Sequence, residues 1–259
     1  MFTPLLGACQ LPGRVAGEAR YQRGIVIVLP GIEGRSLLNR NLALGLDEGG
    51  VTSAIEIFDW TLGVPGSLVY NLVDIERNRR VARSLTQRIV DYRTEHPTNP
   101  VHLVGHSGGA GLAVLALEAL PDDVEIDMAI LLAPALSPEY DLSAALRHTC
   151  AGIVNFYSEN DISLLKIGTS LFGSVDRKYG ASAGAVGFVR PDAADATAEL
   201  YDDRLRQVRW TRRLREYGAD GSHIGWTSRR FAREYLAGLI KRNEAARPMP
   251  LARTVRVVP

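Results

Sequence analysis

Short runs of apolar residues alternate along this chain with segments of helical periodicity, and this order constrains the fold more than any other feature. The first run, IVIVL at residues 25–29, stops at Pro30 and Gly31. Buried parallel strands have such continuous apolar runs, whereas strands with one solvated face alternate apolar and polar residues. The pattern therefore predicts a three-layer α/β sandwich, with a mostly parallel central sheet and helices on both faces.

The predicted elements follow one another from residue 25 onward. Strands are expected at residues 25–29, 54–58, 101–104, 128–132, 153–157 and 205–210, and helices at residues 36–48, 72–95, 142–148 and 228–241, with another helix beginning near Ala110. Residues 162–190 are rich in Gly, Ala and Ser and predict an irregular segment. We expect a single domain over residues 1–259, with an N-terminal extension at 1–20 and a C-terminal tail at 242–259.

Composition and charge exclude several classes of partner. The chain has 259 residues and is 46% hydrophobic, and 30 Lys and Arg balance 29 Asp and Glu. This balance gives no electrostatic basis for binding nucleic acid or an anionic membrane surface. No apolar run is long enough for a membrane span, and residues 1–9 lack the pattern of a secretory signal. Because Cys9 and Cys150 are far apart, we expect a cytoplasmic protein without a disulfide framework; the oligomeric state is not predicted.

A Gly-x-Ser-x-Gly motif, GHSGG at residues 105–109, lies where an apolar strand meets an apolar helix. In that setting a sharp turn exposes the hydroxyl of Ser107, and the flanking glycines let the backbone fold back on itself. The same pattern recurs at residues 180–184, but the charged segment before Ser182 predicts no strand to hold that serine. Ser107 is therefore the candidate nucleophile, and Ser182 is predicted to be a loop residue.

A serine nucleophile needs a histidine to take its proton. His223 lies in a glycine-flanked loop between the last predicted strand and the final helix, where a base can reach over the carboxyl edge of the sheet. The other histidines are less well placed: His96 at a helix end, His102 inside a strand, His148 at the polar end of a short helix, and His106 beside the serine but leaving the turn in another direction. His223 is therefore the candidate base.

The carboxylate that orients the base should follow a strand that comes after the nucleophile. Asp161 comes after the strand at 153–157 across a tight turn, so it should lie on the same carboxyl edge as Ser107. Glu159 occupies the same turn and is the nearest competitor, whereas Asp127 enters its strand from the opposite end. Asp161 is the first choice for the orienting acid.

Acyl transfer also needs donors for the developing oxyanion, and backbone amides usually supply them. The amide of Gly108, directly after the serine, is one candidate, and the amide of Ile32 in the turn after the first strand is the other. Apolar loop residues are candidates for a substrate pocket or for packing under the loops: Trp60, Tyr70 and Phe172 foremost, with Leu62, Val64, Leu68 and Leu171.

In their order along the chain, Ser107, Asp161 and His223 resemble the nucleophile, acid and base of the α/β-hydrolase fold. The resemblance covers roughly residues 25 to 240. It implies a hydrolase of esters, thioesters or amides that uses no cofactor and no metal and acts on a small-molecule substrate. The reaction class follows from the resemblance, and the substrate does not.

The chain departs from many α/β hydrolases at two places. Pro30-Gly31 stands where many relatives have His-Gly before the first oxyanion donor. Only residues 133–140 separate the strand at 128–132 from the next helix, which is too short a stretch for a cap domain. The site is therefore expected to be open, roofed at most by the loops at 61–70 and 164–190.

The leading functional hypothesis is a carboxylic ester hydrolase that works through an acyl-enzyme on Ser107. A peptidase, thioesterase or acyltransferase with the same three residues is the second hypothesis, since these enzymes differ in leaving group and acceptor. The third is a hydrolase-like domain that binds a ligand without catalysis.

Overall fold

Six parallel strands form one central sheet within the described part of the computed structural model, which comprises residues 11, 13–63, 74–161, 180–191 and 195–247. The strands are Ile25–Leu29 (β1), Ala54–Ile57 (β2), Val101–His106 (β3), Met128–Leu132 (β4), Ile153–Tyr157 (β5) and Leu205–Arg209 (β6). Their order across the sheet is β2-β1-β3-β4-β5-β6, and every neighbouring pair is parallel. The predicted parallel sheet is thus confirmed.

Helices surround this sheet. Their bounds are Glu18–Tyr21 (α1), Leu37–Glu48 (α2), Ile75–Glu95 (α3), Gly108–Glu118 (α4), Ser143–Arg147 (α5), Ala183–Val186 (α6), Asp195–Arg204 (α7) and a last helix, α8, built from Arg229–Phe231, a π-helical Ala232–Leu236 and Ala237–Ala246. Short 3-10 helices cover Gly13–Val15, Arg212–Tyr217 and Ile224–Thr227. Over the ranges that the structure describes, none of the helices combines the length and the apolar character needed to cross a bilayer.

The order of the strands places the helices in two layers. The chain moves outward from β1 to β2 through α2 and then returns to β3 through α3. Since crossovers between parallel strands are right-handed, this reversal puts α2 and α3 on opposite faces of the sheet. Helix α3 packs against α4, and α2 packs against the π-helical part of α8. The carboxyl ends of all six strands meet at one edge, and the residues following β1, β3 and β5 project there.

The core of the sheet is apolar on both faces. Strands β1, β3 and β4 are buried along their whole length, as their continuous apolar runs predict. Helix α4 is buried from Gly108 to Leu117 and shows no polar face, because it lies between the sheet and neighbouring helices. The nucleophile candidate therefore precedes the most buried of the long helices.

The structure departs from the sequence prediction at the last helix, which continues to Ala246 although the sequence predicts its end at residue 241. Polar contacts hold the additional turn against the molecule. Asn243 lies 2.8 Å from Nε2 of the buried His102, and Glu244 accepts a hydrogen bond of 2.8 Å from Ser53. The tail predicted at 242–259 thus begins as ordered helix, and residues 248–259 lie outside the described residues.

Three helices, α1, α6 and α7, are also absent from the sequence prediction. Helix α6 lies within the segment for which the sequence predicts irregular structure, and α7 precedes β6 with weak amphipathicity. Near the other end, the end of the predicted N-terminal extension and the next residue contact the edge of the sheet. Arg20 donates a hydrogen bond of 3.2 Å to the carbonyl of Ser53, and Tyr21, directly after the predicted extension, donates one of 2.6 Å to Glu56 on β2. These contacts cover the outer edge strand.

Candidate active site

Ser107 occupies a strained turn between β3 and α4. Its φ is 54° and its ψ is −119°, a conformation that costs a non-glycine residue about 1–3 kcal/mol. Backbone hydrogen bonds hold the turn: the amide of Ser107 donates to the carbonyl of Leu132 at 2.9 Å, and its carbonyl accepts from Ala135 at 3.1 Å. Hydrogen bonds to the end of β4 and to the residues after it thereby hold Ser107 in its strained conformation. Ser107 lies at the carboxyl edge with 6% of its surface exposed.

The glycines on either side of Ser107 are required by close approach of the backbone. A Cβ on Gly105 would lie 2.6 Å from the Cα of Ala110, and a Cβ on Gly109 would lie 2.2 Å from the carbonyl oxygen of Pro30. Both distances are far below van der Waals contact. Glycine at these positions lets α4 start directly against β1 and β3, and this close packing is why the motif requires glycine there.

Asp161 lies in a tight turn after β5. Its amide donates to the carbonyl of Ser158 at 2.9 Å, and the Ser158 hydroxyl accepts a hydrogen bond of 3.2 Å from the amide of Asn160. Only 2% of Asp161 is exposed, so its carboxylate is aimed into the molecule. A buried carboxylate needs a polar partner, and this one has an imidazole.

His223 is that partner. Its Nδ1 lies 2.8 Å from Oδ2 of Asp161, and 11% of its side chain is exposed. Because an ionised carboxylate only accepts hydrogen bonds, Nδ1 carries the proton and Nε2 is the nitrogen left to act on other groups. The structure therefore brings two of the three predicted site residues into direct contact across a sequence separation of 62.

The segments that carry Asp161 and His223 are aligned by an aromatic cluster. Trp226, in the 3-10 helix directly after His223, is fully buried, and its ring centroid lies 5.5 Å from that of Phe156 on β5. Phe231 of α8 contacts both rings at 5.6 Å. Since β5 also leads into the turn of Asp161, this packing fixes the acid and the histidine relative to each other.

His106 brings the histidine loop next to the nucleophile turn. It is the last residue of β3, directly before Ser107, and its ring centroid lies 4.7 Å from that of His223. Its Nε2 lies 3.1 Å from the backbone carbonyl oxygen of His223. These contacts place the imidazole of His223 at the carboxyl edge of the sheet, beside the residue that directly precedes Ser107.

The two turns that contain the predicted oxyanion donors, Ile32 and Gly108, pack against each other. A Cβ on Gly108 would lie 3.0 Å from Cγ2 of Ile32 and 3.0 Å from Cζ2 of Trp60, so the turn after β1 packs against the first residue of α4. Trp60 is 1% exposed and donates its indole N–H to the carbonyl of Pro30 at 2.6 Å. Of the predicted pocket residues, Trp60 thus underlies this turn, while Tyr70 and Phe172 lie outside the described residues.

Glu33 is a site residue that the sequence prediction missed. Its Oε2 and the Nδ1 of His106 lie 2.3 Å and 3.2 Å from the point where a Cβ on Gly31 would stand. Burial raises the pKa of Glu33, although the backbone amides of Glu33 and Gly31, the charge of His223 and the hydroxyl of Ser36 oppose the shift. A second acidic group, in addition to Asp161, thus lies beside the histidines, and in the sequence only its position in the turn after β1 indicates this.

We expect Glu33→Gln to stabilise the protein near neutral pH. A carboxyl whose folded-state pKa is raised binds its proton more tightly in the folded state, so its ionisation lowers stability as pH rises. The variant should unfold about 2 °C above the unmodified protein at pH 7, with the difference vanishing below pH ~4, where both states are protonated. Thermal unfolding at the two pH values measures this. Glu139→Gln, at an exposed position, is the control; an equal shift at both pH values would contradict the account.

The remaining candidates are engaged in other contacts. Asp127 is at the amino end of β4, where it accepts from the amide of Val101 at 2.8 Å and pairs with Arg93 and Arg247. Glu159 is exposed and forms an ion pair with Arg209. The other histidines and the second motif serve local structure: His102 bonds to Asn243, His148 contacts the carbonyl of Val124 at 2.8 Å, His96 ends α3, and Ser182 precedes α6.

No group of three or more His, Cys, Asp or Glu side chains within the described ranges has the arrangement of a metal site. Asp161 and His223 are instead hydrogen-bonded to each other through Oδ2 and Nδ1. The arrangement is suited to moving a proton at the free Nε2 of His223.

Comparison with known proteins gives a family and a fold. The family model described as serine aminopeptidase, S33, matches residues 22–247. A search of curated proteins gives no significant match. Among solved structures, Est1E from Butyrivibrio proteoclasticus is similar at 11% identity and a TM-score of 0.53, with 89% of this chain and 92% of that chain covered.

Two more solved structures show the same fold. XC6422 from Xanthomonas campestris, described as a serine hydrolase without lid, has 17% identity and a TM-score of 0.53, covering 90% of this chain and 88% of that one. A putative aryl esterase from Burkholderia cenocepacia has 14% identity and a TM-score of 0.51, covering 89% and 93%. With the family model spanning most of its length, the chain belongs to the serine aminopeptidase S33 family of α/β hydrolases.

Proposed function

We propose that this chain is a serine hydrolase that cleaves carboxylic esters of small molecules through an acyl-enzyme, without a cofactor. Ser107 is the nucleophile, His223 the general base and Asp161 the acid that orients it. The observation that carries the proposal is the hydrogen bond of 2.8 Å between His223 and the buried Asp161, in a loop that contacts the residue before Ser107.

Acylation begins when the Ser107 hydroxyl attacks the ester carbonyl carbon. Nε2 of His223 takes the hydroxyl proton as the new C–O bond forms, and Asp161 stabilises the resulting imidazolium through Nδ1–H. The tetrahedral intermediate collapses with cleavage of the bond to the alcohol oxygen. His223 returns its proton to that oxygen, so the alcohol leaves neutral and the acyl group stays on Ser107.

Deacylation repeats these steps with water. His223 removes a proton from the water as it attacks the acyl carbonyl, and the second tetrahedral intermediate releases the Ser107 oxygen. The proton held by His223 returns to this oxygen. The carboxylic acid leaves and the resting hydroxyl is restored, so atoms and protons balance over the cycle.

The oxyanion of both intermediates is assigned to the amides of Gly108 and Ile32. Gly108 stands at the start of α4, where N–H groups point out of the helix and the helix dipole favours negative charge. The contact between the Ile32 side chain and Gly108 supports a shared role for the two turns. Pro30-Gly31 stands here where many relatives have His-Gly.

We propose Tyr70 and Phe172 as residues of the substrate pocket, whereas Trp60, which is 1% exposed beneath the turn after β1, is assigned to packing under that turn. The stretch at residues 133–140 is short, as the sequence predicts, which supports an open entrance comparable to that of the neighbour described as lacking a lid. The predicted cytoplasmic location stays a prediction.

A substrate panel tests the reaction class. We expect hydrolysis of p-nitrophenyl esters with kcat/KM at least tenfold above that for matched acyl-CoA thioesters or amino-acid anilides, since p-nitrophenolate is less basic, and so leaves more readily, than a thiolate or an anilide. Activity must depend on Ser107. Turnover of anilides alone would reject the ester assignment.

A peptidase is the second candidate, and the family description as a serine aminopeptidase favours it. The same three residues would serve, with His223 protonating an amine instead of an alcohol. Hydrolysis of unblocked amino-acid anilides at rates matching those of the esters would support this candidate.

A further inference from the structure

We infer that His106 is a positioning residue, which locks the loop carrying His223 onto the strand carrying Ser107. The inference rests on the proposed function and adds to it a residue that transfers no proton. It links the end of β3 with a loop 117 residues later in the chain.

The contact defines which nitrogen of His106 carries the proton. Nε2 lies 3.1 Å from the carbonyl oxygen of His223, and a carbonyl only accepts hydrogen bonds. Nε2 is therefore the donor and Nδ1 is unprotonated. Nδ1 is buried and has no hydrogen-bond partner among the described residues, so the imidazole is held through one directed bond to the backbone of the base.

The environment of His106 keeps it neutral. The residue is 2% exposed, and burial together with repulsion from His223 lowers the pKa of His106 to about 3. A group with so low a pKa is a poor acceptor for the Ser107 proton near neutral pH. Its contribution is thus geometric, and it holds this geometry across the whole neutral range.

The backbone bond complements the bond to the ring. Asp161 holds the imidazole of His223 from its Nδ1 side, and His106 holds the main chain of the same residue. The loop leading to His223 contains Gly218 and Gly221 at φ of 98° and 90°, where glycine permits turns that other residues resist. A separate anchor is needed because a displacement of about 1 Å of a catalytic group can cost about 100-fold in rate.

The test compares three substitutions at position 106. His106→Gln keeps an N–H donor at the reach of Nε2, His106→Asn carries the same amide on a shorter side chain, and His106→Leu removes the donor. For each, we measure the rate of Ser107 labelling by a fluorophosphonate, kcat and KM on a p-nitrophenyl ester, the unfolding temperature, and hydrogen exchange of the amides at residues 218–223.

We expect His106→Gln to label within about threefold of the unmodified protein, and His106→Asn and His106→Leu to label about 10–100-fold more slowly. Their kcat should fall with KM within twofold, and exchange at residues 218–223 should accelerate. If His106→Leu does not fold, the comparison of labelling rates between His106→Gln and His106→Asn decides. The inference is overturned if His106→Asn labels as fast as His106→Gln, or if hydrogen exchange at residues 218–223 is the same in His106→Asn as in the unmodified protein. Absence of labelling in the unmodified protein would instead reject the proposed function, and this inference with it.

Discussion

Ser107→Ala is expected to lower the rate of ester hydrolysis by at least about 10⁴-fold, because the substitution removes the atom that forms the acyl-enzyme. The fold should persist, since alanine is smaller than serine and the turn is held by backbone bonds to Leu132 and Ala135. Hydrolysis of a p-nitrophenyl ester by the purified variant measures the effect, with thermal unfolding to establish that the protein is folded.

Ser182→Ala is the matched control for this prediction. Ser182 lies in the second Gly-x-Ser-x-Gly pattern and is 1% exposed, but its φ of −93° is ordinary extended backbone and no strand directly precedes it. Activity within twofold of the unmodified protein is expected. Loss of activity in Ser182→Ala with retention in Ser107→Ala would reverse the assignment of the nucleophile.

Asp161→Asn is expected to lower kcat by about 10⁴-fold with little change in KM. The neutral amide offers no charge to the imidazolium, and its NH₂ group can turn toward Nδ1 and favour the wrong tautomer of His223. The shape of the buried site is kept, since Asn and Asp are almost isosteric. Steady-state kinetics on the same ester measure the split between kcat and KM.

Glu159→Gln is the control for Asp161→Asn. Glu159 was the alternative acid in the sequence, and it is exposed in the same turn with Arg209 as its partner. Its substitution should change kcat less than twofold. A loss of similar size in both variants would show that the turn matters as a whole, and would contradict a specific role for Asp161.

The central strands β1, β3 and β4 could be predicted from the sequence because they are buried along their whole length and appear as largely apolar runs. The carboxyl end of α8 was harder to predict. The additional turn begins with the polar residues Arg242, Asn243 and Glu244, and the contacts that order it involve His102 and Ser53, both remote in sequence. Tertiary hydrogen bonds of this kind leave no local periodicity.

The site likewise contains residues that the sequence indicates and residues that it does not. The turn of Ser107 requires glycines at fixed offsets, and Asp161 and His223 follow strands or precede helices in recognisable order. His106 and Glu33 could not be recognised as members of the site from sequence. Their involvement depends on the direction of one side chain toward a distant carbonyl and of another back over its own turn, and neither direction has a sequence signature.

Stoichiometric labelling by a fluorophosphonate tests most directly whether the hydroxyl of Ser107 is activated, without the need for a natural substrate. The account predicts one phosphonyl group per chain by intact mass, located on the peptide that contains residue 107. The label should be lost in Ser107→Ala and His223→Ala and kept in Ser182→Ala. A label at residue 182, or undiminished labelling of Ser107→Ala, would contradict the account.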